Sequence, residues 1–439
     1  MAQEQGRCKR VGESDLNIFW KRRLEEAEVM LKGYRALDLT DEKGFLCGRV
    51  LGDLGADVIK VEKPGGDPSR SVGPFYHDEP HPEKSLYWFA FNANKRGITL
   101  DITTKDGKAI FIKLLKTSDF IIESFPPGYM DSLGLGSEEL SKINPRLIFV
   151  SVSPFGQTGP YKKYKGSDII LMAMGGFMFL TGDKDRPPLR ISVPQAYLHG
   201  GLQAAAGAMV ALYWREKTGE GQHVDLSIQH AITMTMLNTP AFWFLDKAII
   251  HRAGPFRVAG RAHVEQRNTW PCKDGYITTI IAGGDLGAPV NKRLVEWMDS
   301  EGMANDFLKN KELEKLDMAK ITPELEAAIE GPIGQFFLAH TRKELYEGAI
   351  KRQIWLYPVQ TCEDLMKSPQ LLERKFWRNV EHPGLGAFIT FPGHPAKSSE
   401  VNFDLKNCAP SPGEHNIQIY EEIGMSKEEL IMLQQGGVI

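Results

Sequence analysis

Residues 147–176 constrain the fold of this chain more than any other stretch. They begin with an apolar strand, Leu147-Ile-Phe-Val-Ser-Val-Ser153. A loop carrying Gly156-Gln-Thr-Gly-Pro160 and Tyr161-Lys-Lys-Tyr-Lys165 follows, then Gly166-Ser167-Asp168. An apolar helix comes next, Ile169 to Met174, ended by Gly175-Gly176. Strand, loop and helix in this order are the repeating unit of an α/β fold, which places its chemistry in loops at strand ends. Ser167 and Asp168 suit a helix start, because their oxygens accept bonds from the free N–H groups there. Asp168 is therefore either a helix cap or a carboxylate nucleophile stabilised by a helix N-terminus. Spacing alone leaves both open.

The same unit is legible upstream. Tyr34-Arg-Ala-Leu-Asp-Leu-Thr40 reads as a strand, and Phe45, Leu46, Val50 and Leu51 share a helical face. Gly55-Ala-Asp57 then turns the chain into Val58-Ile-Lys-Val-Glu62. This strand–helix–strand unit implies a buried parallel sheet. Further elements are a helix over Lys105–Lys116, a strand at Phe120-Ile-Ile-Glu123 and a helix near Glu138–Ile143, so the alternation predicts a doubly wound topology. An aromatic strand is expected just before Asn92. Beyond Asp168, an Ala- and Gly-rich helix spans Gly200–Trp214, and a long helix runs from Ser227 toward Asp246. The pattern changes at about residue 250, and a small α+β domain is placed over 250–345. Residues 354–405 are rich in Pro and Gly, as in an extended connector.

Length and composition narrow the function classes. A chain of 439 residues is too long for one ordinary core, so two domains are expected. With 42% hydrophobic and 25% charged residues it is neither disordered nor fibrous. A net charge of −3 suggests no nucleic-acid partner. Apolar runs are broken before membrane-spanning length, and the opening ten residues are polar, so a cytoplasmic protein is expected. Five scattered cysteines without a CxxC pair fit a reducing compartment. There is no GxGxxG after the first strand and no P-loop, which counts against NAD and ATP. His199, His223, His230 and His382 form no metal-binding spacing, and no GxSxG marks a serine hydrolase.

Two other clusters are candidates. Asn92-Ala-Asn94-Lys95-Arg96 places two amides and two cations in five residues. It is either a phosphate-binding segment or a solvated turn. Lys60 and Lys63 flank the end of the second strand, on the edge that faces the ligand crevice of a doubly wound sheet. Gly283-Gly284 is either a flap over a site or an ordinary turn.

In this order, these pieces resemble the class III CoA-transferases, the formyl-CoA and carnitine type. The resemblance runs through Leu37-Asp-Leu-Thr40, Asp53-Leu-Gly-Ala-Asp-Val-Ile-Lys-Val-Glu62 and Asn92-Ala-Asn-Lys-Arg96. It continues with Ser153-Pro-Phe-Gly-Gln-Thr-Gly-Pro160, Asp168, Thr218-Gly-Glu-Gly-Gln-His-Val-Asp225, Glu381-His-Pro383 and Gly413-Glu-His415. It implies a Rossmann-like large domain formed by both chain ends, a small α+β domain, long connectors and an interlocked dimer. The expected boundaries are a helical extension over 1–33, the large domain over 34–225 and 406–439, a connector helix over 226–249, the small domain over 250–345 and a second connector over 346–405. The resemblance implies Asp168 as the nucleophile and Gly283-Gly284 as oxyanion flap. Coenzyme A would meet Lys63, Asn92, Asn94, Lys95 and Arg96. The expected reaction moves coenzyme A from an acyl-CoA such as succinyl-CoA to a carboxylic acid, with no metal and no nucleotide cofactor.

The departures from the family pattern are Glu42-Lys-Gly-Phe45, Pro126, the short Gly283-Gly284 pair and His230. They bear on the acid substrates, and the aromatic Tyr87-Trp-Phe-Ala-Phe91 stretch admits bulky acids such as arylsuccinates. Two further readings stand beside the transferase. One is an acyl-CoA racemase, disfavoured because Ser167 cannot supply the second base. The other is a non-catalytic CoA-binding subunit of a hetero-oligomer, as an alternative to a homodimer.

Overall fold

The computed structural model describes residues 29–259, 264–310, 321–401, 403 and 405–439. The helix expected within 1–33 falls largely on residues before 29, outside the described ones. The described chain forms two compact units. The first combines the residues up to Gly175 with Val193–Thr235 and Gln370–Ile439, and the second combines Gly176–Ser192 with Met236–Pro369.

The first unit is built on six strands: β1 (Arg35–Leu39), β2 (Asp57–Glu62), β3 (Lys95–Thr99), β4 (Phe120–Glu123), β5 (Ile148–Ser153) and β6 (Gln222–Ser227). Their order is β3-β2-β1-β4-β5-β6, and every pair is parallel. This is a doubly wound arrangement, with its order reversing between β1 and β4. β4 and β5 are buried along their whole length, as their continuous apolar runs require. β6 is the edge strand and is largely exposed.

Four helices bear on the site: α1 (Phe45–Asp53), α2 (Leu86–Asn92), α3 (Asp168–Met174) and α4 (Ala196–Thr218). The aromatic stretch before Asn92 is therefore a helix, not the expected strand. Ser85 caps it by accepting the Trp88 N–H, and Trp88, Phe89 and Asn92 are buried along one helical side. The segment expected as one helix beyond Ser227 is two, Ile228–Met234 and Thr239–Asp246. Pro240 is the second residue of the second helix, a position that suits proline where a helix interior would not. The helix Asn416–Glu422, the last but one of the chain, docks on β3: the Asn416 amide accepts the Thr99 N–H at 2.9 Å and donates to the Thr99 hydroxyl at 2.8 Å. No helix of the described residues is long and apolar enough to cross a membrane.

The second unit has its own core, around Trp270, Trp297, Phe336 and Phe337. A three-stranded antiparallel sheet joins Thr269–Cys272, Gly275–Thr279 and Leu356–Pro358.

The innermost polar feature of the first unit is an ion cluster at the head of β1. The Lys95 ammonium reaches Asp38 at 2.7 Å, and Lys60 lies 3.8 Å from the other Asp38 oxygen. All three side chains are at most 1% exposed. Lys95 also donates to the Phe45 carbonyl and to Asn92 Oδ1, each at 2.9 Å, while Lys60 donates to the Thr40 carbonyl. Gly48 of α1 lies directly above; a Cβ there would stand 2.2 Å from Asp38 Oδ2, so only glycine lets the helix approach. Burial alone would raise the Asp38 carboxyl, but Lys95 and Lys60 outweigh it and hold it below the ordinary range. Burial pulls Lys95 down to about 8 against the pull of Asp38.

Breaking such a cluster leaves buried charge uncompensated. Asp38→Asn is expected to destabilise the protein by about 3–5 kcal/mol. Urea denaturation reads this as a lower midpoint at an unchanged slope; an unchanged midpoint would show that the cluster carries no stability.

Candidate active site

The loops after β1 and β4 meet where the strand order reverses, the place where doubly wound sheets bind ligands. Here the Asp41 N–H donates to the Ser124 hydroxyl, which donates back to Asp41 Oδ1, both at 2.8 Å. Glu42 follows in the first loop, half-buried.

Asp168 opens α3 but does not cap it. Its Oδ1 accepts the N–H groups of Gln195 at 2.7 Å and Ala196 at 2.8 Å, at the start of the 23-residue α4. The carboxylate thus satisfies two of the unpaired donors of a long helix and meets the positive end of its dipole. Asp168 is 7% exposed, and Oδ2 accepts no hydrogen bond from the described residues. Tyr197, in the first turn of α4, is equally buried, with the Asp168 backbone beside its hydroxyl.

Glu42, Tyr87, Tyr197 and Asp168 feel one another's charge. Burial, then Asp41, pushes the Glu42 carboxyl up, with Asp67 and Asp168 adding to the rise and Lys43 opposing it. Burial, then Glu42, pushes both phenols above their ordinary range. Both are neutral hydrogen-bond donors at physiological pH.

The structure disperses the expected coenzyme contacts. Lys63 is exposed at the end of β2. Asn92 is fully buried, donating to the Trp88 carbonyl and accepting from Lys95. Lys95 belongs to the Asp38 cluster. Asn94, at φ +59°, donates to Asp53 and accepts the N–H groups of Lys406 and Asn407. Arg96 pairs with Asp57 at 2.6 Å and Glu422 at 2.7 Å. The segment is therefore neither a solvated turn nor an open row of cations: its polar groups hold the sheet together. Gly283 and Gly284 lie in the second unit, where they start the helix Gly284–Ser300. Among the described residues no group of three His, Cys, Asp or Glu side chains is placed to hold a metal ion.

Sequence reasoning passed over Tyr197 and Glu123. Nothing local flags Tyr197, which lies in the first turn of α4, ahead of the helix expected from Gly200. Glu123 had a signal, a carboxylate ending an apolar strand. It is 4% exposed, accepts the Phe125 N–H at 2.7 Å and shares a hydrogen bond with Ser151. Ser151 in turn bonds His223 Nε2 at 2.9 Å. Burial pushes the Glu123 carboxyl up to about 7, despite the bonds from Ser151 and Phe125.

Comparison with known proteins places this chain in a family. The sequence profile of CoA-transferase family III matches residues 31–416, so the chain belongs to that family. It is 37% identical over 415 residues to the succinyl-CoA:(R)-benzylsuccinate CoA-transferase subunit BbsE of Thauera aromatica, covering 92% of this chain and 97% of that one. It is 32% identical to the succinyl-CoA–D-citramalate CoA-transferase of Chloroflexus aurantiacus, over 90% and 94% of the two chains. A CaiB/BaiF family protein from Brucella suis, of known structure, superposes with a TM-score of 0.78 at 28% identity, covering 90% of this chain and all of that one. The protein is a transferase of coenzyme A between acyl-CoA and acid substrates.

Glu123 gives a pH signature. The folded chain holds a proton there between about pH 4.5 and 7 that the unfolded chain has released. Stability from this group is complete below about pH 4.5 and declines as pH rises through 7, by up to about 3 kcal/mol. Glu123→Gln keeps the acceptor for Phe125 and should flatten this slope. A thermal-melting series from pH 5 to 8 compares the two proteins; equal slopes would rule out a raised carboxyl.

Proposed function

We propose that this chain is one subunit of a transferase that moves coenzyme A from succinyl-CoA to a bulky, aryl-bearing succinate, working beside a related subunit. The observation that carries the subunit reading is the engagement of Asp168. One carboxylate oxygen anchors the start of α4 by accepting the Gln195 and Ala196 N–H groups, which commits that oxygen to the fold. The resemblance to a relative named as a benzylsuccinate transferase subunit supports both the partnership and the acceptor class. In this reading Asp168 positions α4, and a carboxylate of the partner carries the acyl group. Lys63 meets the phosphates of the coenzyme. The two chains interlock through the connectors, in the cytoplasm.

A second reading is favoured by the free Oδ2 and by the neutral phenol beside it. Asp168 Oδ2 attacks the donor thioester, giving an acyl-aspartyl anhydride and CoA thiolate. The thiolate attacks the aspartyl carbonyl, releasing the donor acid and leaving an aspartyl-CoA thioester. The acceptor carboxylate attacks that thioester and expels the thiolate. The thiolate then takes the acceptor acyl group and frees Asp168. The Tyr197 hydroxyl stabilises the oxyanions.

One experiment separates the readings. The chain, alone and with its related subunit, is incubated with succinyl-CoA, trapped with borohydride and mapped by mass spectrometry. The subunit reading expects no adduct on the Asp168 peptide. It also expects Asp168→Ala to lose about 1 kcal/mol of stability while the pair still turns over. An adduct at Asp168, with turnover falling roughly 10³-fold in both Asp168→Asn and Asp168→Ala, would instead establish the covalent route through this chain.

A further inference from the structure

A second pocket lies in the first unit, away from the loops after β1 and β4. The hairpin Trp377–His382 with Ala387–Pro392 forms one wall, in antiparallel register from Trp377 opposite Pro392 to His382 opposite Ala387. The loop from Gly393 to Ser398 folds back along it, with the Gly393 N–H donating to the Phe376 carbonyl at 2.7 Å. A Cβ at Gly393 would stand 2.6 Å from that carbonyl and 3.3 Å from Arg378 Cγ, so glycine lets the loop pass this close. His394 closes the turn by accepting the Ala396 N–H, and its ring packs on Phe403 at 4.4 Å.

The space between is about 230 Å³ and open to solvent. Its lining includes Arg374, Lys375, Arg378, His394 and Lys397, and no carboxylate among the described residues. Arg374, Lys375, Arg378 and Lys397 make no ion pair among the described residues. Arg378 alternates onto the same side of its strand as Val380 and His382, which are buried. Asp53, a carboxyl on which His394 acts, is already bonded to Arg49 and Asn94. In a chain of net charge −3, four unpaired cations round one concavity make a local positive field.

We propose that this pocket binds a multiply charged, phosphate-bearing small molecule. Arg378 and Arg374 offer planar, bidentate donors to phosphate oxygens, Lys375 and Lys397 add point charge, and Phe376 and Phe403 supply apolar walls. The phosphates are either the coenzyme's own or those of a separate compound; the chemistry of recognition is the same.

Calorimetric titration with pyrophosphate tests the site in the full chain. Saturable binding of one pyrophosphate per chain is expected, weakening steeply with salt. The triple variant Arg374→Ala, Arg378→Ala, Lys397→Ala should weaken it at least tenfold with an unchanged melting temperature. In case that variant misfolds, acetylation of Lys397 in the wild-type protein should be slowed at least fivefold by pyrophosphate. A Lys63→Ala background separates the sources. Competition by coenzyme A there assigns the pocket to the coenzyme's phosphates, and its absence assigns the pocket to another phosphate compound. No saturable binding, equal affinity in the folded triple variant, or unprotected Lys397 would each overturn the proposal.

Discussion

Three buried charges set the geometry on which the rest of the first unit depends. Asp38 sits near the carboxyl end of β1, Lys60 comes from β2 and Lys95 from the start of β3. The cluster therefore staples three neighbouring strands of a parallel sheet at one depth. It also reaches outward, to the Thr40 carbonyl at the exit of β1 and the Phe45 carbonyl at the start of α1. One carboxylate cannot neutralise two ammonium groups, which is why burial pulls Lys95 down while Asp38 stays charged. Such a cluster is a poor source of net stability compared with apolar packing, yet intolerant of losing one member. Its value here is positional: it fixes where the Thr40–Gly44 loop leaves the sheet.

That loop is half of the switch point, and the pairing of Asp41 with Ser124 joins it to the other half. The same logic recurs around Asp168. A carboxylate at the start of one helix is used to hold the start of another, α4, which packs along α1. The consequence is a concentration of acids and phenols in a small volume. Glu42, Tyr87 and Tyr197 are each pushed toward their neutral forms by burial and by one another. The two neutral phenols add hydrogen-bond donors there without adding like charge, which suits the approach of an acid substrate.

Much of this fold was legible in sequence, and for a physical reason. Strands of a parallel sheet are buried on both faces, so Phe120–Glu123 and Leu147–Ser153 announce themselves as unbroken apolar runs. What misled was direction. Tyr87-Trp-Phe-Ala-Phe91 is rich in residues that favour strands, and only the Ser85 cap and the spacing of Trp88, Phe89 and Asn92 mark it as a helix. Asn92-Ala-Asn-Lys-Arg96 reads as an exposed phosphate cradle because charged residues are rarely buried unless paired. Its partners, Asp38, Asp57 and Glu422, lie up to 326 residues away in sequence. Pairing at that range leaves no local trace. Asp168 was ambiguous for the same reason, since the helix it serves begins 28 residues later.

The distribution of charge then separates structure from recognition. Lysines and arginines that pattern suggested as ligand contacts prove to be internally matched: Lys95 to Asp38, Arg96 to Asp57 and Glu422. A cation matched inside the fold has already spent its hydrogen-bonding directions and attracts little from solution. The ones left over are therefore more informative than the ones that stand out in the sequence. Lys63 is one such, exposed at the carboxyl end of β2, where a doubly wound sheet meets its ligand. The group around Arg378 is the other, and it arises from a segment that in sequence is only a Pro- and Gly-rich connector. Chain compactness explains the difference: a hairpin followed by a tight glycine turn brings Arg374, Arg378 and Lys397 round one concavity, although no two of the three are adjacent in the sequence. Recognition in this protein is thus better read from charges the fold leaves unmatched than from clusters the sequence displays.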